Sequence, residues 1–298
     1  MRPSKPQAVE CIWPIKAKLG EGPFWSAAEN ALWFVDIFSN QIHRFDPAGG
    51  AGRSWSAPDK VSFVLPDARG RHVVGLPGAV ASFDPKDGAF EILARVEQQF
   101  PKNRLNDACI DSHGRLWFGS MDEGEKANSG AIYRWGDEPA PVQIDTGYCI
   151  SNGPCFSPDG RKFYATDTLD RVVYRFEVDE QGGLQGKTPF IHLEPADGYP
   201  DGTTIDAEGC LWIAFFDGWS VRRFSPDGER IGEVKLPCAN VTKIAFGGDK
   251  LQTVYVTTAQ HGLSPQALLE QPLAGGLFAF EADVPGLPQS LYKPRAGS

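Results

Sequence analysis

Six polar residues stand at one equivalent place in a repeated sequence pattern: Glu21, Ser62, Asn106, Asn152, Asp201 and Thr242. Ser62, Asn106, Asn152 and Asp201 each lie 11 residues before Val73, Trp117, Phe163 and Trp212, while Glu21 and Thr242 lie 12 before Trp33 and Val254. All six offer oxygen. Two are carboxylates, two are carboxamides, and none is His or Cys, so a gathering of these groups suits a hard divalent cation. Taken singly, each reads as a turn residue bonding its own backbone. At six equivalent positions, convergence on one point is the better reading.

The elements that would bring them together are short strands. Leu32-Trp33-Phe34-Val35 has relatives at His72–Leu76, Leu116–Ser120, Lys162–Thr166, Leu211–Phe215 and Thr253–Thr257. Their second residues, at 33, 73, 117, 163, 212 and 254, are separated by 40, 44, 46, 49 and 42 residues. Most are preceded by turns such as DSHG, SPDG or DAEG and followed by a further strand pattern such as QIHRFDP or VVYRFEV. Six units of four strands with periods in the forties predict an all-β, six-bladed β-propeller of four-stranded antiparallel blades. One such domain fills residues 1–298, with a strand near 9–15 closing the ring. The innermost strand of each blade would line the axis, which is how residues far apart in sequence would meet. Only SPQALLEQPL at 264–273 reads as a modest helix. Trp33, Trp117 and Trp212 are expected to pack blades, whereas Trp25, Tyr148, Phe216 and Trp219 stand where they could shape a pocket.

The bulk properties exclude several classes of function. The 298 residues are 41% hydrophobic and 22% charged, with a net charge of −9. An acidic chain without a Lys/Arg cluster argues against nucleic acid and anionic membrane as partners. There is no long apolar span, and the first ten residues lack the apolar stretch of a secretory signal. The six Cys form no Cys-x-x-Cys pair, and the five His show no zinc-binding spacing. Such a chain is expected in the cytoplasm, with reduced thiols, as a monomer or weak oligomer. There is no Gly-x-Ser-x-Gly elbow for a serine hydrolase and no Gly-x-Gly-x-x-Gly turn for a dinucleotide.

Four stretches carry a family resemblance: LGEGPFW with Glu21, RLNDACIDSHGRLWFGSM with Arg104 and Asn106, SNGPCFSPDGRKFYATD with Asn152, and YPDGTTIDAEGCLWIA with Asp201. Over nearly its whole length the chain resembles the SMP-30/gluconolactonase/LRE (regucalcin-like) family. NSGAIYRW, NVTKIAFGG and PLAGGLFAF make it most similar, within that family, to bacterial pentonolactonases such as xylonolactonase and arabinolactonase. The resemblance implies one divalent metal held by Glu21, Asn152 and Asp201. The ion varies among calcium, zinc, manganese, magnesium and ferrous iron; an oxygen-only ligand set disfavours a purely structural zinc. It further implies substrate contacts from Arg104, Asn106 and Glu123, with Asp122 replacing Glu123 if the loop shifts by one.

The expected activity is hydrolysis of a sugar-acid lactone to the aldonic acid, with a pentonolactone such as xylonolactone as substrate and Asp201 as catalytic base. Alternatives are the same chemistry on gluconolactone, an organophosphate or an aryl ester, and a non-enzymatic calcium-binding propeller or scaffold.

Overall fold

The computed structural model describes residues 8–293. Its strands form six separate four-stranded sheets, ordered from the axis outward along the chain. Blade 1 runs through Gly20–Ser26, Ala31–Asp36, Gln41–Asp46 and Ala51–Ser56, and blades 2 to 5 repeat the arrangement. Blade 6 takes three strands from the C-terminal end, Val241–Gly247, Thr253–Thr258 and Leu277–Glu281, and its fourth from Glu10–Trp13. The N-terminal strand therefore closes the ring, as the sequence predicts. It pairs antiparallel with Leu277–Glu281, Cys11 opposite Phe278. The helical stretch is a single turn and a half, Pro265–Glu270, begun by Ser264, whose Oγ accepts from Ala267 N–H at 3.1 Å.

The repeated Leu-Trp strand is the second of its blade, buried on both faces between neighbouring blades. The turn before it explains the repeat. In blade 3, Asp111 Oδ1 accepts from the His113 and Arg115 N–H groups, while its Oδ2 accepts the Trp117 indole N–H at 2.9 Å. In blade 5, Asp206 does the same for Glu208, Cys210 and the Trp212 indole. One carboxylate thus shapes the turn and ties the blade's largest side chain to it. Trp33, Trp117 and Trp212 are all packed in the interior. Blade 1 has the turn SAAENA and no such Asp; the Trp33 indole N–H is buried without a partner.

Antiparallel pairing is interrupted where function would need it. In five blades the register of the innermost strand slips at the ring position: between Glu21 and Phe24, Leu105 and Ala108, Asn152 and Cys155, Pro200 and Thr203, and Val241 and Lys243. Such bulges re-aim a side chain out of the regular alternation. At Glu21 and Asn152 the following residue is a glycine with φ of 55° and 54°, a left-handed conformation that most side chains disfavour.

Candidate active site

The inner strands of blades 1, 3, 4 and 5 deliver Glu21, Asn106, Asn152 and Asp201 to one cavity of about 270 Å³ at one mouth of the central channel. Arg104 and Glu125 line the same space. Above this polar floor the walls are apolar, built by residues such as Phe38, Ile150, Leu169 and Phe216.

The other two ring residues do not reach it. Ser62 Oγ donates to the Gly75 carbonyl at 3.3 Å, and Thr242 Oγ1 donates to the Gly20 carbonyl at 2.6 Å. Both hydroxyls are spent on backbone carbonyls, Ser62 on the second strand of its own blade and Thr242 on the inner strand of blade 1, so the six-fold convergence expected from the spacing is four-fold. Glu123 is also elsewhere: its side chain is 41% exposed and forms an ion pair with Lys60. Asp122 turns back on its loop, accepting the Lys126 and Ala127 N–H groups at 2.9 and 3.0 Å. Glu125, at φ 55°, is the acid of the DEGE stretch that faces the cavity. Of the four aromatics that could shape a pocket, only Phe216 lines it. Trp25 stacks on Tyr255, Tyr148 bonds to Asp145, and Trp219 is exposed.

Hydrogen bonds fix the neutral part of the floor. Arg104 Nη1 donates to Asn106 Oδ1 at 2.6 Å and to the Leu105 carbonyl at 3.1 Å. Asn106 Nδ2 donates to the Ser151 carbonyl at 2.8 Å. The carboxylates are different. The Glu21 carboxylate accepts only the adjacent Gly22 N–H, at 2.7 Å, and the Asp201 carboxylate accepts from no described residue, although its backbone carbonyl accepts from Thr203 Oγ1 at 3.4 Å. Each residue is nevertheless only 7% exposed. Burial pushes both acids above their usual range. For Asp201 the next causes are the charges of Glu21 and Asp107; for Glu21 it is Asp107. Lys243 and Arg104 oppose the shift without cancelling it. Burial also lowers Arg104, to about 10, although Glu21, Glu125 and Asp201 all favour its charged form. Its Nε is buried without a partner.

Two buried carboxylates that repel one another and share a single N–H donor between them are a poor arrangement by themselves. With the Asn152 amide oxygen beside them they form the donor set of a hard cation. Among the described residues no three His, Cys, Asp or Glu side chains gather as a metal-binding group, so an ion here would depend on two carboxylates with amide and water oxygens. All six cysteines are free, and among the described residues no helix is long and apolar enough to cross a membrane.

Residues 19–260 match the family described as SMP-30/Gluconolactonase/LRE-like region. A 6-deoxy-6-sulfogluconolactonase of Pseudomonas putida is 34% identical over 289 residues, covering 96% of this chain and 99% of that protein. Regucalcin of Gallus gallus is 34% identical over 288 residues, 94% and 96% of the two chains. Among solved structures, a calcium-binding regucalcin from Agrobacterium tumefaciens superposes with a TM-score of 0.92 at 28% identity, covering 96% of this chain and 98% of that one. With the family match over residues 19–260 and near full-length relatives at 34% identity, the chain belongs to the SMP-30/gluconolactonase/LRE family.

Proposed function

We propose that this protein is a divalent-metal-dependent lactonase that opens a sugar-acid lactone, with a pentonolactone such as xylonolactone as its substrate. The observation that carries the reading is the meeting of Glu21, Asn152 and Asp201 beside an incompletely partnered Arg104 in one small cavity. The near full-length similarity to a sulfogluconolactonase supports it. A volume of about 270 Å³ suits a single sugar ring better than an extended ester.

Glu21, Asn152 and Asp201 would hold the cation. When bound, it would polarise the ring carbonyl and lower the pKa of a water. Asp201 takes the proton from the attacking water; the cation would offset the burial and the Glu21 charge that otherwise favour its protonated form, leaving a carboxylate able to accept. Arg104 and Asn106, which line the cavity, would bind ring hydroxyls, Arg104 through its guanidinium. Glu125 accepts from a further hydroxyl at the cavity edge. Phe38, Leu169 and Phe216 keep bulk water from the ring, which strengthens each polar contact below them. The free thiols fit a reducing cytoplasm, and the partner is the small lactone alone.

The test is a panel of neutral lactones, followed with a pH indicator, on metal-stripped protein reloaded with calcium, zinc, manganese, magnesium or ferrous iron. Turnover of xylono-1,4-lactone should vanish with the metal and return with at least one ion. Asp201→Asn should lose on the order of a hundredfold or more in kcat. The similarity to a calcium-binding regucalcin favours, as the second reading, a propeller that binds the cation without turnover. Tight cation binding with no hydrolysis anywhere in the panel would select it.

A further inference from the structure

One residue beyond each ring position lies a second ring: Gly22, Phe63, Asp107, Gly153, Gly202 and Lys243. Its two charged members face each other. Asp107 comes from blade 3 and Lys243 from blade 6, which are opposite blades, yet Lys243 Nζ forms an ion pair with Asp107 Oδ1. The pair crosses the axis directly beneath the cavity. Lys243 also lines a separate cavity of about 920 Å³ at the other end of the channel, beside Cys109, Cys155 and Pro288. The pair is therefore the floor between the two.

Its contacts reach the residues that follow two of the three cation ligands. Asp107 Oδ2 accepts the Gly153 N–H at 2.9 Å, and Oδ1 also accepts the Ala108 N–H at 2.8 Å. The Lys243 stem fills the space where a Gly202 side chain would stand; a Cβ there would overlap Lys243 Cβ and Cγ. Gly153 follows Asn152 and Gly202 follows Asp201. The pair thus braces the backbone of both ligands, and its two charges act on the third, Glu21.

We propose that Lys243 and Asp107 are positioning residues for the cation: an axial ion pair that braces the ligand strands and holds the site at the charge of its two carboxylates. This rests on the cation reading above. With the cation bound, Glu21 and Asp201 would carry −2, which one divalent ion neutralises, and the pair adds nothing while it is intact. Either half alone would change the sum. Asp107→Asn leaves a buried Lys243 cation beneath a bound cation; Lys243→Met leaves a buried Asp107 carboxylate there instead. A purely mechanical strut would lose affinity in both variants.

The experiment is calorimetric titration of calcium, manganese and zinc into metal-stripped full-length protein at low salt. The variants are Asp107→Asn, Lys243→Met and the double substitution, each also followed by thermal unfolding without metal. Asp107→Asn should weaken binding by about tenfold or more, since like charges in a buried site repel strongly. Lys243→Met should strengthen it, and the uncharged double variant should return to within about threefold of the parent, as buried pairs replaced by isosteres often retain function. Loss in both single variants, or no change in either, overturns the proposal. If one single variant does not fold, the double variant must still reverse the effect of the other. If neither folds, a double variant weakened beyond tenfold overturns the proposal, and one that keeps parental affinity supports charge balance over bracing alone. A parent that binds none of the ions rejects the cation reading and this inference with it; a binding parent with same-sign variants rejects only the inference.

Discussion

Asn106 Nδ2 donates to Asn152 Oδ1 at 3.0 Å, joining the inner strands of blades 3 and 4 across 46 residues of sequence. The bond is one link in a chain. Arg104 donates to Asn106 Oδ1, and Asn152 Nδ2 donates in turn to Thr168 Oγ1 at 2.9 Å. The network settles which end of each amide is oxygen. It directs Asn152 Oδ1 toward the cavity, and it commits Asn106 Oδ1 to Arg104. Each amide oxygen accepts one hydrogen bond and keeps a second lone pair, but only Asn106 Oδ1 has a guanidinium on it, which favours Asn152 over Asn106 as the proposed cation ligand.

Thr168 follows as the residue that orients Asn152, a proposed cation ligand, without being one itself. Thr168→Val keeps the shape and removes the acceptor, so the Asn152 amide loses its reason to point its oxygen inward. Cation affinity should fall by roughly tenfold or more, the usual cost of losing an outer partner of a metal ligand. Thr168→Ser should hold within a few-fold of the parent. Titration calorimetry on the two variants measures the difference, and equal affinities would show that Asn152 is oriented by Asn106 alone.

Arg104 offers a different separation. Its guanidinium lines the cavity, with Nη1 used on Asn106 and Nε without a protein partner. Arg104→Lys keeps the charge and loses the fork. Expected is a fall in kcat/KM of about tenfold or more on the best lactone, from loss of roughly one to two charge-assisted hydrogen bonds. Cation affinity should stay within about threefold, because the charge near Glu21 and Asp201 is unchanged. A variant weakened in cation binding to the same degree as in turnover would place Arg104 in the metal site instead.

The repeat made much of this legible. A Leu-Trp strand at near-equal intervals gave six blades, and a fixed count back from it located Glu21, Asn106, Asn152 and Asp201 on the inner strands. That count reports register within one blade, which local strand and turn chemistry determines. It could not report which backbone carbonyl a hydroxyl would find. Ser62 and Thr242 sit at the right place, but a carbonyl lies within reach of each. Nor could it carry through the loop after Met121, where Asp122 caps a turn and Glu125 is the carboxylate that lines the cavity. The Lys243–Asp107 pair lay one step along the same count. It escaped notice because Asp107 and Lys243 are 136 residues apart and their types invite surface readings.

The glycine after a ligand is a structural requirement with its own test. Gly153 has φ 54°, and a Cβ there would lie 2.6 Å from the Thr203 backbone nitrogen. Gly50 has a similar φ of 60°, but nothing lies within 4 Å of its Cβ position. Gly50→Ala should cost about 1 kcal/mol, the backbone preference alone. Gly153→Ala adds a backbone overlap that no rotamer relieves, and should cost on the order of 3 kcal/mol or more. Urea midpoints compare the two. Equal losses would mean that blades 4 and 5 part easily at this point.

Acid should destabilise the fold through a histidine far from the site. His72 is 3% exposed in blade 2, its ring 4.2 Å from Trp33, and neither ring nitrogen has a hydrogen-bond partner. Burial lowers its pKa to about 4 from the ordinary 6.5, against the opposing charges of Glu29, Asp67 and Asp84. A depressed histidine stays neutral in the folded state while the unfolded chain takes up the proton. Its contribution is complete above about pH 6.5 and is lost as pH falls toward 4, by about 3 kcal/mol at most. His43, also lowered to about 4, acts in the same window. His72→Phe suits a pocket between Trp33 and Phe83 and should remove close to half of the histidine-linked loss. Urea unfolding at pH 7 and pH 5 measures it: the parent should lose more stability between the two than the variant, and an identical loss would mean that His72 takes up its proton within the folded blade.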